Sequence, residues 1–295
     1  MSVQWLRHLL RLAILVFIVV LPLLAAYRVV HPTVGSAAAS RAEVLLEGVR
    51  GNTWTLQIGS LSLSDPLGSV ESLAAGKAPV SALLMGMAIP LLVTVALGRV
   101  FCAWACPVGF LLEWGDKLRS SFKKIGFRPR NIAFWRGNKY VLLAVGLSAS
   151  AALATPLLSA FYPPALLVGE LHRWAWGVFA GGGEVTWAAL FLLGILLAEI
   201  FISRRMWCRY LCPGGALYNL LGWRRAVRLS PPDEKCDQCG DCVVECGMGL
   251  NPMNGLTGLE CDNCLVCVDV CPPGALVNVA ALGDGRRASG HGLRR

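Results

Sequence analysis

The sequence has few charged residues for its length. Of its 295 residues, 15% are Asp, Glu, Lys or Arg, whereas soluble domains average about 25%. No pair of histidines at helical spacing indicates a haem, and no Gly-rich fingerprint indicates a bound nucleotide. With 55% hydrophobic residues and a mean hydropathy of +0.58, this shortage of charge indicates an integral membrane protein.

The charges that are present are mostly positive. Lys and Arg number 27 against 18 Asp and Glu, for a net charge of +9. In a soluble protein such an excess would point to nucleic acid. In a membrane protein it indicates topology, because Lys and Arg collect on the cytoplasmic side. We therefore expect membrane lipid around the chain and no nucleic-acid partner.

Four apolar stretches each have about the 17–25 residues that a membrane-spanning helix needs. They run from about Leu9 to Val30, from about Val80 to Leu97, from about Tyr140 to Phe161 and from about Val185 to Ile202. The first also has features of a cleaved signal peptide, since basic residues precede it and Ala25-Ala26 lies within it. Its length favours an uncleaved helix.

The segments between these stretches alternate in charge. Gly98–Lys139 has nine basic residues against two acidic ones, whereas Thr33–Pro79 and Tyr162–Glu184 each have one more acidic than basic residue. Six arginines follow the fourth stretch before position 229. The positive-inside rule then puts the N-terminus, the middle segment and the C-terminal part in the cytoplasm, and the other two segments outside.

A nine-residue pattern occurs twice, 106 residues apart. Phe101–Gly109 and Trp207–Gly215 both read aromatic-Cys-x-x-x-Cys-Pro-x-Gly, and each follows an apolar stretch that points inward. Duplication of a helical hairpin is the simplest explanation. The predicted fold is an α-helical membrane protein with four transmembrane helices as a duplicated hairpin, followed by a small C-terminal ferredoxin-like domain.

Eight of the twelve cysteines form two CxxCxxCxxxC motifs, Cys236–Cys246 and Cys261–Cys271. This spacing is typical of two-cluster bacterial ferredoxins, in which the fourth cysteine of each motif ligates the other cluster. We therefore predict two 4Fe–4S clusters. The predicted ligands are Cys236, Cys239, Cys242 and Cys271 for the first cluster, and Cys261, Cys264, Cys267 and Cys246 for the second.

Two other uses of these cysteines fit the pattern less well. Structural zinc uses two CxxC pairs with a longer spacer, and disulfides do not persist in a reducing cytosol. One position departs from the ferredoxin pattern: Gly247 stands where a proline usually follows the fourth cysteine, whereas Pro272 keeps that proline.

The remaining four cysteines lie in the duplicated CxxxCP motifs: Cys102, Cys106, Cys208 and Cys212. Cysteines four residues apart share a helix face, and Pro107 and Pro213 put each pair at a helix end. Three interpretations stay open. The pairs form an additional redox or metal site, act as a thiol–disulfide element, or are small buried apolar residues.

Three ionisable residues near the predicted spans have two interpretations each. Glu199 is either an acid for proton or quinone chemistry or a helix-end partner of Arg204 or Arg205. His31 and His172, at outer helix ends, either accept a proton from a quinol or have no chemical role. No catalytic residue is identified.

The predicted domains follow from these features. Residues 1–229 form the membrane domain with four transmembrane helices and two CxxxCP motifs, residues 230–282 form the ferredoxin-like domain with two 4Fe–4S clusters, and residues 283–295 form a disordered basic tail.

The chain resembles the NapH/MauN family of membrane ferredoxin-type proteins over nearly its whole length. The resemblance rests on Ser64–Gly76, both CxxxCP motifs, Gly215–Tyr218 and the eight-cysteine module. It implies a multi-pass protein of the bacterial inner membrane. For NapH-like members it implies a quinol dehydrogenase component of periplasmic nitrate reduction, and for MauN-like members a role in methylamine utilisation; related CxxxCP proteins act in nitrous oxide reduction.

Three functions follow as hypotheses. In the leading one, the protein exchanges electrons between the membrane quinone pool, with quinol as substrate, and periplasmic ferredoxin-type and haem electron-transfer proteins. In the second, it is an accessory or maturation protein of methylamine utilisation or of another periplasmic metalloenzyme or cofactor system, and takes electrons from cytosolic donors. In the third, it handles copper or another metal through the CxxxCP thiols.

Overall fold

The computed structural model is predominantly helical. It describes residues 3–30, 49–52, 55–58, 61–76, 80–126, 129–180, 185–230, 232, 234–254, 258–272, 274–276 and 278–280. The α-helices are α1 (Val3–Val30), α2 (Pro66–Ala74), α3 (Val80–Leu97), α4 (Val100–Trp104), α5 (Pro107–Lys124), α6 (Asn138–Leu153), α7 (Pro163–Ala180), α8 (Trp187–Phe201), α9 (Pro213–Leu221), α10 (Asp241–Val244) and α11 (Val266–Asp269).

Five short strands and four non-α helical turns complete the described structure. The strands are β1 (Val49–Asn52), β2 (Thr55–Ile58), β3 (Leu61–Ser64), β4 (Val227–Leu229) and β5 (Asn278–Ala280). Strands β1, β2 and β3 form an antiparallel sheet before α2, with Val49 opposite Ile58 and Thr55 opposite Ser64. The turns are 3₁₀ at Leu158–Phe161, Gly222–Arg224 and Pro252–Asn254, and π at Trp207–Leu211.

Helices α1, α3, α6 and α8 lie on the four predicted apolar stretches. Helix α3 has the predicted bounds, but α6 ends at Leu153, well before Phe161. Ala154 takes a left-handed conformation with φ of 48°, and Thr155 precedes Pro156, which disfavours a helical Thr155. The chain therefore leaves the helix at this point.

One described helix, over Val3–Leu24, is both long and apolar enough to cross a membrane, with a mean hydropathy of 2.2. The other three stretches contain shorter apolar helices, at Leu84–Leu97, Asn138–Leu153 and Trp187–Phe201.

Two further helices of 18 residues lie in segments that the sequence predicts as loops, α5 in the middle segment and α7 in Tyr162–Glu184. The prediction of a loop at 162–184 is wrong. Pro163 and Pro164 begin α7, where a proline costs no hydrogen bond because the first N–H groups of a helix have no partner. Helix α7 packs along α1, with Val168 against Ile18.

The Ser64–Gly76 motif begins a short helix that enters the core. Asp65 caps α2 by accepting a hydrogen bond from the Gly68 N–H at 2.9 Å, and it also accepts one from the Tyr218 hydroxyl at 2.8 Å. Leu67 is fully buried in a cluster that includes Leu143 of α6 and Leu217 of α9. The motif therefore joins the two halves of the helical domain.

Further along α2, the fully buried Glu71 carboxylate caps the turn after α6. It accepts hydrogen bonds from the Ser150 hydroxyl at 3.0 Å and from the Ser159 N–H at 3.0 Å, and also from the Leu158 N–H and the Ser159 hydroxyl. A buried carboxylate with four donors holds this turn in place.

The C-terminal module begins and ends in a two-stranded antiparallel sheet. Val227 of β4 lies opposite Ala280 of β5, so the segment that carries the eight cysteines leaves the helical domain and returns to it. The predicted tail at 283–295 and His31 lie outside the described residues.

We expect Glu71→Ala to lower the stability of the helical domain. The change leaves buried donors on Ser150, Leu158 and Ser159 without an acceptor, and each such group costs about 1–3 kcal/mol. Thermal unfolding in detergent measures the loss. The control is Arg173→Ala, which removes an exposed ion pair with Glu170 and should change the melting temperature little. The same melting temperature for both variants would contradict this role of Glu71.

Candidate iron–sulfur sites

The eight module cysteines line two cavities. One is lined by Cys246, Cys261, Cys264 and Cys267 together with apolar side chains such as Leu229. We call it the inner cavity, because its lining loop contacts the helical domain.

The second cavity is lined by the other four cysteines of the module. Its cysteines are Cys236, Cys239, Cys242 and Cys271. We call it the outer cavity, since Cys239 is exposed to solvent. Each cavity thus brings together three cysteines of one motif and the fourth of the other, which is the arrangement that a pair of 4Fe–4S clusters requires.

The two loops around the cavities bend in the same way. Gln238 and Gly240 in the first motif have positive φ angles of 58° and 86°, and the matching Asn263 and Leu265 in the second have 52° and 60°. Left-handed residues are rare outside glycine and mark places where function needs a particular bend. Here they wrap each loop around its cavity.

The chemistry of the inner-cavity thiols also suits a metal cluster. Burial raises the pKa of Cys261 to about 11 and that of Cys267 to about 12. At neutral pH these thiols would stay protonated by themselves, so they become ligands only where the positive charge of iron stabilises the thiolate. When bound, a 4Fe–4S cluster supplies a one-electron carrier at this position.

The inner and outer cavities adjoin each other. Cys242 of the outer cavity is buried in an apolar cluster with Leu229 and Leu276, and Cys267 of the inner cavity packs against the same cluster. Groups held in the two cavities would therefore be neighbours, with no solvent-filled gap between their ligands.

The loop that lines the inner cavity is fixed to the helical domain by Glu260. Its carboxylate is paired with Arg99 at 3.3 Å and with Lys139, and it accepts hydrogen bonds from the Tyr140 hydroxyl at 3.1 Å and the Asn219 amide at 3.0 Å. Burial by itself would raise the pKa of Glu260, but Arg99 and the bond from Lys139 outweigh it and lower the pKa. Glu260 is therefore a partly buried anion that faces two buried cations.

Arg205 forms a second attachment, between the same loop and α5. Its guanidinium lies 3.4 Å from the Asp262 carboxylate and within 4 Å of Glu113 and Asp116. A Cβ on Gly247 would lie 2.7 Å from the Arg205 Nε atom. This close approach explains why the position after Cys246 is glycine and not the usual proline.

A third attachment uses polar groups near the ends of α1 and α4. Gln4 and Arg7 donate to the Cys264 carbonyl at 3.0 and 3.3 Å, and the Trp104 indole donates to the Asn263 carbonyl at 3.1 Å. Asn263 in turn donates to the Leu97 carbonyl at 2.9 Å. The start of α1, the first CxxxCP motif and the inner cavity therefore lie at one end of the helical domain.

The structure also brings the four CxxxCP cysteines together. Cys102, Cys106, Cys208 and Cys212 are all partly buried and free of disulfides. Cys106 and Cys208 pack against one apolar cluster formed by α5 and α8. Within the described residues, no three His, Cys, Asp or Glu side chains are close enough to share a single metal ion.

Glu199 has a structural role that matches the helix-end interpretation only in part. Its buried carboxylate accepts hydrogen bonds from the backbone N–H groups of Arg205 and of Met206, the latter at 2.9 Å. It closes the turn between α8 and the second motif. His172 lies on α7, away from both cavities.

Sequence reasoning missed the attachment residues. Glu260 directly precedes Cys261, and Arg99 precedes Cys102 by three positions, so each stands beside a motif that the spacing identifies. A single acid directly before a cluster ligand, in a chain with an excess of basic residues, was the signal that could have found this contact.

We expect Glu260→Ala to weaken the attachment of the module strongly. The change leaves Arg99 and Lys139, 2% and 0% exposed, without their anion, and a stranded buried charge costs about 3–5 kcal/mol. Loss of the visible cluster absorbance on heating reports the effect. Glu245→Ala is the matched control, since Glu245 is an exposed acid of the same module. If this control loses its cluster absorbance at as low a temperature as Glu260→Ala, the attachment is not specific to Glu260.

Comparison with known proteins supports an iron–sulfur protein. The sequence model of a family described as a 4Fe-4S binding domain matches residues 81–126 and again residues 185–230. Each match contains one CxxxCP motif. No solved structure matches the chain.

Curated relatives cover most of the chain. The ferredoxin-type protein NapH of Haemophilus influenzae is 33% identical over 76% of this chain and 77% of its own length, and that of Escherichia coli is 31% identical over 74% and 75%. The methylamine utilization ferredoxin-type protein MauN of Methylorubrum extorquens is 35% identical over 67% of this chain and 65% of its own length. The chain therefore belongs to the NapH and MauN family of ferredoxin-type electron-transfer proteins.

Proposed function

We propose that this protein is a membrane-bound electron-transfer subunit that exchanges electrons between the quinol pool and periplasmic redox partners through two 4Fe–4S clusters. The observation that carries the proposal is the pair of adjoining four-cysteine cavities, one of which is fixed to the helical domain by buried ion pairs. Oxidation of one quinol to quinone releases two electrons and two protons, and the electrons pass singly through one-electron carriers.

The ligand sets follow the cavities. We assign Cys236, Cys239, Cys242 and Cys271 to one cluster, and Cys261, Cys264, Cys267 and Cys246 to the other. The four CxxxCP cysteines are proposed as part of the same electron path.

The membrane location is supported by side chains that no described part of the chain covers. Met85 and Leu92 of α3 are 72% and 68% exposed, Val145 of α6 is 61% exposed, and Leu190 of α8 is 57% exposed. Apolar exposure of this extent on several helices is unusual for a soluble monomer. We propose that α1, α3, α6 and α8 cross the bacterial inner membrane as the four spans of a duplicated hairpin.

The orientation is proposed from charge and attachment together. The start of α1 contacts the loop of the inner cavity, and the basic middle segment lies at the same end through Arg99 and Lys139. With basic residues inside, the N-terminus, the CxxxCP motifs and the module face the cytoplasm.

Crossed ligation predicts which cysteine variants act on the same cluster. Cys271→Ala and Cys236→Ala should each remove one cluster, about four irons per chain, and the double variant should lose no more than either alone. Cys271→Ala combined with Cys261→Ala should lose both clusters, about eight irons. Iron analysis and EPR of the reduced protein measure this; additive loss for Cys271 with Cys236 would contradict the crossed assignment.

We expect quinol to reduce the clusters of the purified protein. Quinol is mixed anaerobically with the oxidised protein in detergent, EPR follows cluster reduction, and a potentiometric titration fixes the cluster potentials. Cluster potentials extend over hundreds of millivolts with charge and exposure, so the titration also gives the direction of electron flow. Intact clusters that show no redox change with quinol would contradict the quinol step.

One observation favours a second candidate, an accessory or maturation electron-transfer protein supplied by cytosolic donors. Cys239 is exposed at the end of the module that lies away from the helical domain, where a soluble donor has access to the outer cavity. Cluster reduction by a flavodoxin or ferredoxin, with no response to quinol, would favour this candidate.

A further inference from the structure

The duplicated CxxxCP motifs bring four thiols together inside the helical domain. Cys106 of the first copy and Cys208 of the second pack against the same apolar cluster of Val108, Leu112 and Ile195. The two copies of the motif therefore meet in the fold, although they lie 106 residues apart in the chain.

The backbone has the same geometry in both copies. The Gly109 N–H donates to the Cys106 sulfur at 3.4 Å, and the Gly215 N–H donates to the Cys212 sulfur at 3.3 Å. Each sulfur thus caps the N-terminus of a helix, α5 or α9, whose first N–H groups have no partner within the helix. A Cβ on Gly109 would lie 2.9 Å from the Cys102 carbonyl, so glycine is needed for this approach.

We infer that Cys102, Cys106, Cys208 and Cys212 hold one further 4Fe–4S cluster, shared between the two copies of the motif; this inference rests on the proposed electron-transfer function. A 4Fe–4S cluster takes four thiolates, and each copy offers only two. The 4Fe-4S family match covers both copies and neither module motif. The two matched segments can therefore hold such a cluster only by sharing it.

The surroundings provide a counter-charge. The Arg99 side chain is 2% exposed, and the Arg99 carbonyl accepts a hydrogen bond from the Cys102 N–H at 3.0 Å. The Arg99 guanidinium would lie 3.0 Å from a Cβ on Gly215, beside Cys212. Four thiolates and their irons leave a net negative charge in an apolar region, which a buried cation offsets. Arg99 is placed between the two motifs for this purpose.

The four CxxxCP cysteines lie next to the inner cavity, on the side of the helical domain. Cys106 packs against the cluster that contains Ile18 of α1 and Val168 of α7. Trp104, between the two cysteines of the first motif, reaches the Asn263 carbonyl at the inner cavity. The three sites therefore form one series from solvent into the helical domain.

The experiment counts iron in the whole protein, purified anaerobically in detergent. The unaltered protein should contain about twelve iron and twelve sulfide per chain, against about eight if only the module is loaded. Cys102→Ala, from one copy, and Cys208→Ala, from the other, should each lose about four irons, and the double variant should lose about four as well. Two separate centres would give losses that add.

Tyr210→Phe is the matched control, because Tyr210 is buried between Cys208 and Cys212 without contributing a thiol; it should keep all twelve irons. If the cysteine variants do not fold, iron and sulfide analysis per chain of the unaltered protein decides between twelve and eight irons. A content of eight irons per chain would overturn the inference. Zinc or copper bound in place of the third set of four irons would overturn it as well. Twelve irons with no response to quinol would overturn only the proposed quinol step.

Discussion

Glu260 is the contact on which the arrangement of the protein depends. Its carboxylate lies among Arg99, Lys139, Tyr140 and Asn219, and the next residue, Cys261, lines the inner cavity. The same loop therefore holds a candidate cluster and attaches the module to the helices. Because attachment and ligation share one short segment, the position of the candidate cluster relative to the helical domain is fixed by the loop itself. A module joined only by a flexible linker would have no such constraint.

The energetics of this contact make the module a permanent part of the domain. Arg99 and Lys139 are almost completely removed from water, and isolated charges in such places cost several kcal/mol each. Without the loop, these cations would have to hydrate or reorganise, so separation of the module is unfavourable. Arg205 adds a second contact of the same kind, between Asp262 on the loop and Glu113 and Asp116 on α5.

Sequence patterns predicted those features of the structure that depend on residues close together in the chain. Apolar length gave the positions of α1, α3, α6 and α8, and cysteine spacing gave the two sets of four that line the cavities. Patterns failed where distant residues decide. The loop prediction at 162–184 overlooked α7, whose Val168 packs against Ile18 of α1, about 150 positions earlier in the chain. Gly247 departs from the ferredoxin pattern because Arg205, 42 positions earlier, occupies the space of a side chain.

The two ends of the series of sites differ in their surroundings, and this difference restricts what the protein can connect. At one end, Cys239 is exposed to solvent in a small polar loop. At the other, Cys106 packs against Ile18 and its apolar neighbours, on a helix long and apolar enough to cross a membrane. A soluble partner can approach the first end and an apolar carrier the second. The attachment through Glu260 holds these two environments at a fixed separation, which the proposed link between a water-soluble carrier and a lipid-soluble one would require.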